Sequence, residues 1–191
     1  MIANLLSTVF PTIMKGFNLG STTITLVLTS PPYLVGAVVS FLVAFSSDRN
    51  GERGYHISVP MAVAMVGFII SVSTLNVPAR YFASFLYTSG CFSANAMVYT
   101  WAASTLNQTP EKRACAAAMV NLLSQFGNIW SPYFFPKSDG PRYLMAMLLM
   151  MGFSALSIAC CIVMKLDLKR ANRKLRAEAE EEGKSVVLYP L

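Results

Sequence analysis

The charged residues of this chain are confined to short clusters, and that segregation limits the possible folds more than any single motif does. Runs free of Asp, Glu, Lys and Arg cover 16–47, 54–79, 81–110, 114–136 and 143–164. Each is long enough for a helix to cross ~30 Å of hydrocarbon, which takes about 20 residues. A backbone in hydrocarbon must satisfy its own hydrogen bonds, so such runs fold as helices rather than as open strands. Hydrophobic residues make up 54% of the 191 and charged residues 13%, about half the charged share of an ordinary soluble domain. The sequence therefore predicts a polytopic, all-α membrane protein.

Taken in order, residues 1–14 are apolar but short for a span, and Pro11 stands near their end, so they read as the tail of a span whose beginning is missing. Spans are expected at 25–46, with Pro31 and Pro32 in its first half, and from the residues after His56 to about 75, with Pro60 in the first turn, where a missing N–H costs little. A turn at Asn76, Val77 and Pro78 leads into a span from 79 to about 104, a polar-faced span follows at 114–136, and Pro141 opens the last, which ends at Lys165. This gives five complete spans and a short amino-terminal one. The chain divides into a helix bundle at 1–165 and a tail at 166–191, helix-forming, basic and then acidic, with Gly183 as its stop.

With loops alternating sides, Arg49, Arg53, Lys112, Arg113, Lys165 and the six basic residues of the tail share one side, eleven of the fifteen Lys and Arg in all. Lys15, Arg80, Lys137 and Arg142 share the other. The positive-inside rule places the larger group, and the tail, in the cytoplasm. The same asymmetry explains the net charge of +6 without a nucleic-acid partner. Cys91, Cys115, Cys160 and Cys161 lack metal-ligand spacing and read as packing residues, so neither a metal nor a cofactor is expected. No nucleophile–base set, HExxH or phosphate loop is present, so the sequence is not that of an enzyme.

The most unusual stretch is 105–143. Within its charge-free run, Ala114, Ala117, Asn121, Ser124, Gln125, Asn128 and Pro132 recur at helical spacing on one face, opposite Met119, Leu123, Phe126 and Trp130. A polar group left unpaired in hydrocarbon costs several kcal/mol, so this face must meet protein, water or a ligand. For Asn121, Gln125 and Asn128 two roles stand side by side: hydrogen bonds between helices, or the wall of a cavity for a polar solute. The preceding span has a comparable row in Thr88, Phe92, Asn95 and Tyr99, with Ser89, Ser93 and Ala96 small enough for close helix approach. There the serines suit packing, while Asn95 and Tyr99 are the candidate solute contacts. His56, the single histidine, stands at the start of a span and reads as an interfacial residue rather than a proton relay. No acid or base lies deep within a span, Arg80 standing only at an outer end.

The turn from Ala44 to Arg53, AFSSDRNGER, resembles the G-x-x-x-D-R-x-G-R-R loop of the major facilitator superfamily. Asp48, Arg49, Gly51 and Arg53 match, whereas Ala44 replaces the first Gly and Glu52 replaces an Arg. An Asp at a helix end and Arg residues across a cytoplasmic face can latch one conformation and release another; an ordinary positive-inside turn bent at Gly51 would carry the same residues. Asp48, Arg49, Arg53 and Arg113 are the candidate gating residues.

The resemblance is broader than that loop. Phe10-Pro11-Thr12-Ile13 before Lys15-Gly16-Phe17, Ser30-Pro31-Pro32-Tyr33, Arg53-Gly54-Tyr55-His56 and Ala79-Arg80-Tyr81-Phe82-Ala83 all take part. Its most specific block runs from Trp101 through Thr105-Leu106-Asn107-Gln108-Thr109-Pro110-Glu111-Lys112-Arg113 to Asn121, Gly127-Asn128-Ile129-Trp130 and Pro141-Arg142-Tyr143. Together these residues resemble the carboxy-terminal half of fungal major facilitator transporters of the anion:cation symporter family, the allantoate and nicotinate permease type. The resemblance covers nearly the whole chain except the tail. It implies a six-helix half of a twelve-helix fold, and plasma-membrane uptake of a small organic anion or vitamin-like nutrient, usually with protons, by alternating access. It also implies a missing amino-terminal six-helix half as partner, since the solute site of this architecture lies between two halves. The alternative is a non-transporting membrane scaffold or a remnant.

Overall fold

The computed structural model describes residues 3, 10, 22–106, 109–134, 143–182 and 189, with the side chains at 22, 24–26, 128, 130–132, 134 and 180–182 excepted. It is all-helical over those residues: α1 (Thr22–Asn50), α2 (Gly54–Ser73), α3 (Val77–Thr105), α4 (Pro110–Phe134) and α5 (Leu144–Glu182). Apart from Ala3 and Phe10, the expected amino-terminal span lies outside the described residues, as do the loop at 135–142 and the stop at Gly183.

Among the described residues, three helices are long and apolar enough to cross a membrane, over Val27–Asn50, Gly54–Ser73 and Leu144–Ala179. Their outward faces fit that environment. On α1, Val38, Phe41, Leu42 and Phe45 are between 57% and 70% exposed, far more contiguous apolar surface than water tolerates. The protein is an integral membrane protein. Helices α3 and α4 have the length, but their Ser, Thr and Asn content keeps them out of that set.

Helix α3 is the hub. It packs most extensively on α2 and α1 and touches α4 more lightly, while α5 packs on α2. Close approach is built from small residues. A Cβ on Gly90 would stand 2.2 Å from the Pro60 carbonyl oxygen, one on Gly67 2.9 Å from the Tyr87 nitrogen, and one on Gly36 3.7 Å from the Ser89 Cα. Without attraction between hydrocarbon surfaces, helices in lipid associate by such backbone-close packing. The serine hydroxyls of α3 are satisfied within the helix: Ser84 donates to Tyr81 O (2.6 Å), Ser89 to Phe85 O (2.6 Å) and Ser93 to Ser89 O (2.7 Å). Ser93 also meets Ser40 of α1 at 3.2 Å.

An aromatic chain crosses the bundle. Phe68 of α2 stacks on Tyr87 of α3 (5.1 Å), Tyr87 meets Phe10 edge-on (6.1 Å), Phe10 meets Tyr33 of α1 (5.3 Å), and Tyr33 meets Phe92 of α3 (5.6 Å). Such edge-to-face pairs add about 0.5–1.5 kcal/mol each beyond area burial.

Three details differ from the sequence expectation. Pro60 is the seventh residue of α2 rather than in its first turn, because the helix already starts at Gly54 and Ile57 N–H bonds Arg53 O (3.2 Å). Its missing N–H leaves the His56 carbonyl without a helical partner. Arg80, on the buried face of α3's first turns, is 2% exposed, so the end of the bundle opposite the α1–α2 turn carries a sequestered guanidinium. Finally, α5 runs through Lys165 without a break. Its 39 residues reach about 58 Å at 1.5 Å each, well beyond a bilayer core.

Candidate functional site

Two polar regions flank α3, one inside the bundle and one at its basic end. Inside, α2, α3, α4 and α5 surround a cavity of about 390 Å³. Its polar lining is Asn95 and Tyr99 from α3, Ser124 from α4 and Ser157 from α5. Apolar walls come from Met61, Val98, Val120, Leu123, Phe153 and Leu156. Asn95 and Tyr99 are four apart, one turn of α3, so both reach the same space. The Tyr99 hydroxyl lies 3.3 Å from Ser124 Oγ and couples α3 to α4 across the cavity. No charged side chain is among the described lining residues. A mostly apolar space with a few converging polar groups suits a small molecule with an apolar body.

The row Thr88, Phe92, Asn95 and Tyr99 is divided by the packing. Thr88 is buried, Phe92 meets Tyr33 of α1, and only Asn95 and Tyr99 reach the cavity. Helix α4 is turned as well. Ser124 and Gly127 are buried, with Val120 and Leu123 on the cavity. Asn121 and Gln125 are exposed, the Gln125 amide donating to Asn121 Oδ1 at 3.4 Å. The inward face of α4 is therefore rotated from the carboxamide face by roughly a quarter turn. The Asn128 side chain lies outside the described residues. Phe153 and Ser157 of α5 were not singled out from sequence, and Cys160 was read only as a packing residue; Ser157 in an apolar helix was the available signal.

At the other region, the turn between α1 and α2 is drawn tightly against the bundle. Gly51 adopts φ +64°, a backbone that favours glycine. The Ser47 hydroxyl donates to Glu52 O (2.9 Å), and Gly51 N–H bonds Ser47 O (2.9 Å). Arg53 donates to the Thr100 carbonyl near the end of α3 (2.8 Å) and pairs with Asp48 (3.5 Å). A guanidinium there also suits the negative end of the α3 dipole. Asp48 thus pairs within its own turn. Arg49 and Arg113 are exposed, and the partner of Asp48 among the described residues is Arg53 rather than Arg113.

Sequence reasoning passed over a further link of this region. Glu52, noted only as a departure from the family pattern, forms an ion pair with Lys165 of α5. The Lys165 ammonium also stands 3.4 Å from the centre of the Tyr55 ring, a cation–π geometry. Gly54 makes room, since a Cβ there would come 2.9 Å from Lys165 Cδ. The signal in sequence was an acid at a position that is basic in the family, opposite the lysine that ends the last charge-free run. His56 Nε2 lies 3.1 Å from Ser46 Oγ, joining α2 to α1 at the same end.

Comparison with known proteins gives one consistent direction. The chain is 32% identical over 136 residues to the MFS-type transporter efuF of Hormonema carpetanum, covering 68% of this chain and 27% of that protein. It is 29% identical over 162 residues to the major facilitator-type transporter hxnP of Emericella nidulans, covering 83% and 32%. It is 26% identical over 150 residues to the high-affinity nicotinic acid transporter of Saccharomyces cerevisiae, covering 78% and 28%. The chain spans about a quarter to a third of the length of these curated relatives. No family model matches it. No solved structure matches either. An all-helical membrane bundle whose relatives are named as MFS-type transporters supports placing the chain in the major facilitator superfamily.

Proposed function

We propose that the chain forms the carboxy-terminal half of a secondary active transporter of the anion:cation symporter type, taking up a small organic anion or vitamin-like nutrient with protons by alternating access. The observation that carries the reading is the cavity at Asn95, Tyr99 and Ser124, in a bundle whose relatives include a nicotinic acid transporter. Its apolar walls accept a ring or short chain, and its carboxamide and hydroxyls orient polar atoms by hydrogen bonds. The described lining has no cation, so the charge of an anionic solute must be met from elsewhere. The outward Asn121 and Gln125 face of α4 supplies a polar wall toward a second six-helix unit, in keeping with a solute site shared between two halves. The basic end of the bundle, with the tail, lies in the cytoplasm of a plasma-membrane protein on the positive-inside rule.

The test is uptake of labelled nicotinate and other small carboxylates by vesicles containing the chain together with an amino-terminal six-helix half. Uptake is expected only with both halves. Asn95→Ala is expected to raise KM about tenfold with expression unchanged, the signature of a lost binding contact. Uptake by the isolated, monomeric chain would sink the two-half reading, and an unchanged KM would remove Asn95 from the solute path.

A further inference from the structure

Of the polar side chains on the cavity, two are engaged with one another and two are not. The Tyr99 hydroxyl and Ser124 Oγ stand 3.3 Å apart. Asn95 of α3 and Ser157 of α5 line the same space, and no hydrogen bond joins either side chain to another described residue. Ser157 differs in this from Ser84, Ser89, Ser93 and Ser154, which each donate to a carbonyl of their own preceding turn, the ordinary way for a helical hydroxyl to be satisfied in an apolar setting. Asn95 and Ser157 are both half-buried. Leaving such groups unmatched is costly once water is excluded.

The two groups set a chemical requirement. The Asn95 carboxamide offers N–H donors beside a carbonyl acceptor, and the Ser157 hydroxyl can donate or accept. A neutral amide or lactam edge matches them: its carbonyl accepts from the Asn95 amide, its N–H donates to Asn95 Oδ1, and Ser157 meets the remaining lone pair. A carboxylate has acceptors only and carries a charge, and the described lining holds no cation to compensate it. Desolvating an unpaired ion costs far more than desolvating an amide that finds its hydrogen bonds. The walls at Val98, Leu123, Phe153 and Leu156 accept an apolar ring but do nothing to lower that cost.

We propose that this cavity recognises the uncharged end of the solute, an amide-like donor–acceptor edge on an apolar ring, and that Ser157 is a specificity-determining residue for it. The solute is then bifunctional. Its neutral edge sits between Asn95 and Ser157, and its carboxylate points toward the second six-helix unit. The inference rests on the reading of the cavity as part of the solute site, and adds which end of the solute this chain holds.

The experiment uses the full chain in lipid nanodiscs at neutral pH, titrated with benzamide and with benzoate and followed by ligand-observed NMR against empty discs. The probes share one ring and differ in a single neutral or charged group. Benzamide is expected to bind saturably and about tenfold or more tightly than benzoate. Asn95→Ala should weaken benzamide about tenfold and Ser157→Ala about fivefold, the scale of losing neutral hydrogen bonds. Ser157→Thr keeps the hydroxyl and should hold the parent affinity. Benzoate binding as tight as that of benzamide would overturn the inference, as would equal weakening of benzamide by Ser157→Ala and Ser157→Thr. Absence of saturable binding by either probe would overturn it too, since this half would then not recognise the neutral end by itself. Uptake by the paired halves is measured independently of these titrations, so the transport reading can stand where this inference fails.

Discussion

Helices α3 and α4 are both long and polar for membrane spans, yet the bundle treats them in opposite ways. Helix α3 buries its Ser84, Ser89 and Ser93, each bonded to a carbonyl of its own preceding turn, and presents glycine to its neighbours. Helix α4 buries Ser124 and Gly127 and leaves Asn121 and Gln125 exposed. The difference lies in how each polar group can be satisfied. A hydroxyl reaches back to its own helix and leaves a surface smooth enough for close packing. A carboxamide has two donors and an acceptor to satisfy, which its own turn cannot do alone. Small hydroxyls make a hub; the carboxamides of α4 stand on its exposed face.

The sharpest way to break this comparison is at the seam of the hub. Gly90→Leu places carbon where the Pro60 carbonyl already stands, and is expected to cost about 3 kcal/mol or more, the upper range for overpacking. Thermal unfolding in detergent should show it. Gly152→Leu, with nothing within 4 Å of its Cβ, is the control and should stay within ~0.5 kcal/mol. If both behave alike, the α2–α3 seam is not what organises the bundle.

The charged end gives the next effect. Arg53→Gln removes the bond to Thr100 O and the pairing with Asp48, and a loss of about 1–2 kcal/mol is expected. Arg113→Gln, on exposed α4, should leave unfolding unchanged within measurement. A double-mutant cycle on Glu52→Gln and Lys165→Met should give a coupling near ~1 kcal/mol for this partly exposed pair. Zero coupling would reduce the link between the turn and α5 to proximity.

The smallest effect on stability belongs to α4. Asn121→Ala and Gln125→Ala should each change the unfolding midpoint of the isolated chain by no more than ~0.5 kcal/mol, since both are exposed. A loss of 2 kcal/mol or more would mean that the carboxamides are internal glue, contrary to the rotation of α4 described above.

The charge clusters and apolar runs were enough to give a membrane helix bundle and the end of α3 near Thr105, because hydrocarbon length and backbone satisfaction leave few alternatives; the start of α4 was expected at 114, whereas the helix already begins at Pro110 and takes in Glu111, Lys112 and Arg113. Asn95 and Tyr99 were legible as neighbours because one turn separates them. The residues around them were not. Whether Ser157 or Gln125 meets the cavity depends on how α4 and α5 rotate against α3, and a helical face in sequence does not say which neighbour it meets. Glu52 was visible as an exception but not as a partner, because Lys165 is 113 residues away.

Sequence by itself, then, determined the solvent of this protein, since that follows from composition summed along each segment. Tertiary structure decided which polar groups are internal, which lie exposed, and which distant charges meet. Those outcomes follow from helix rotation and close approach at Gly36, Gly67 and Gly90, where atoms far apart in sequence come within ångströms.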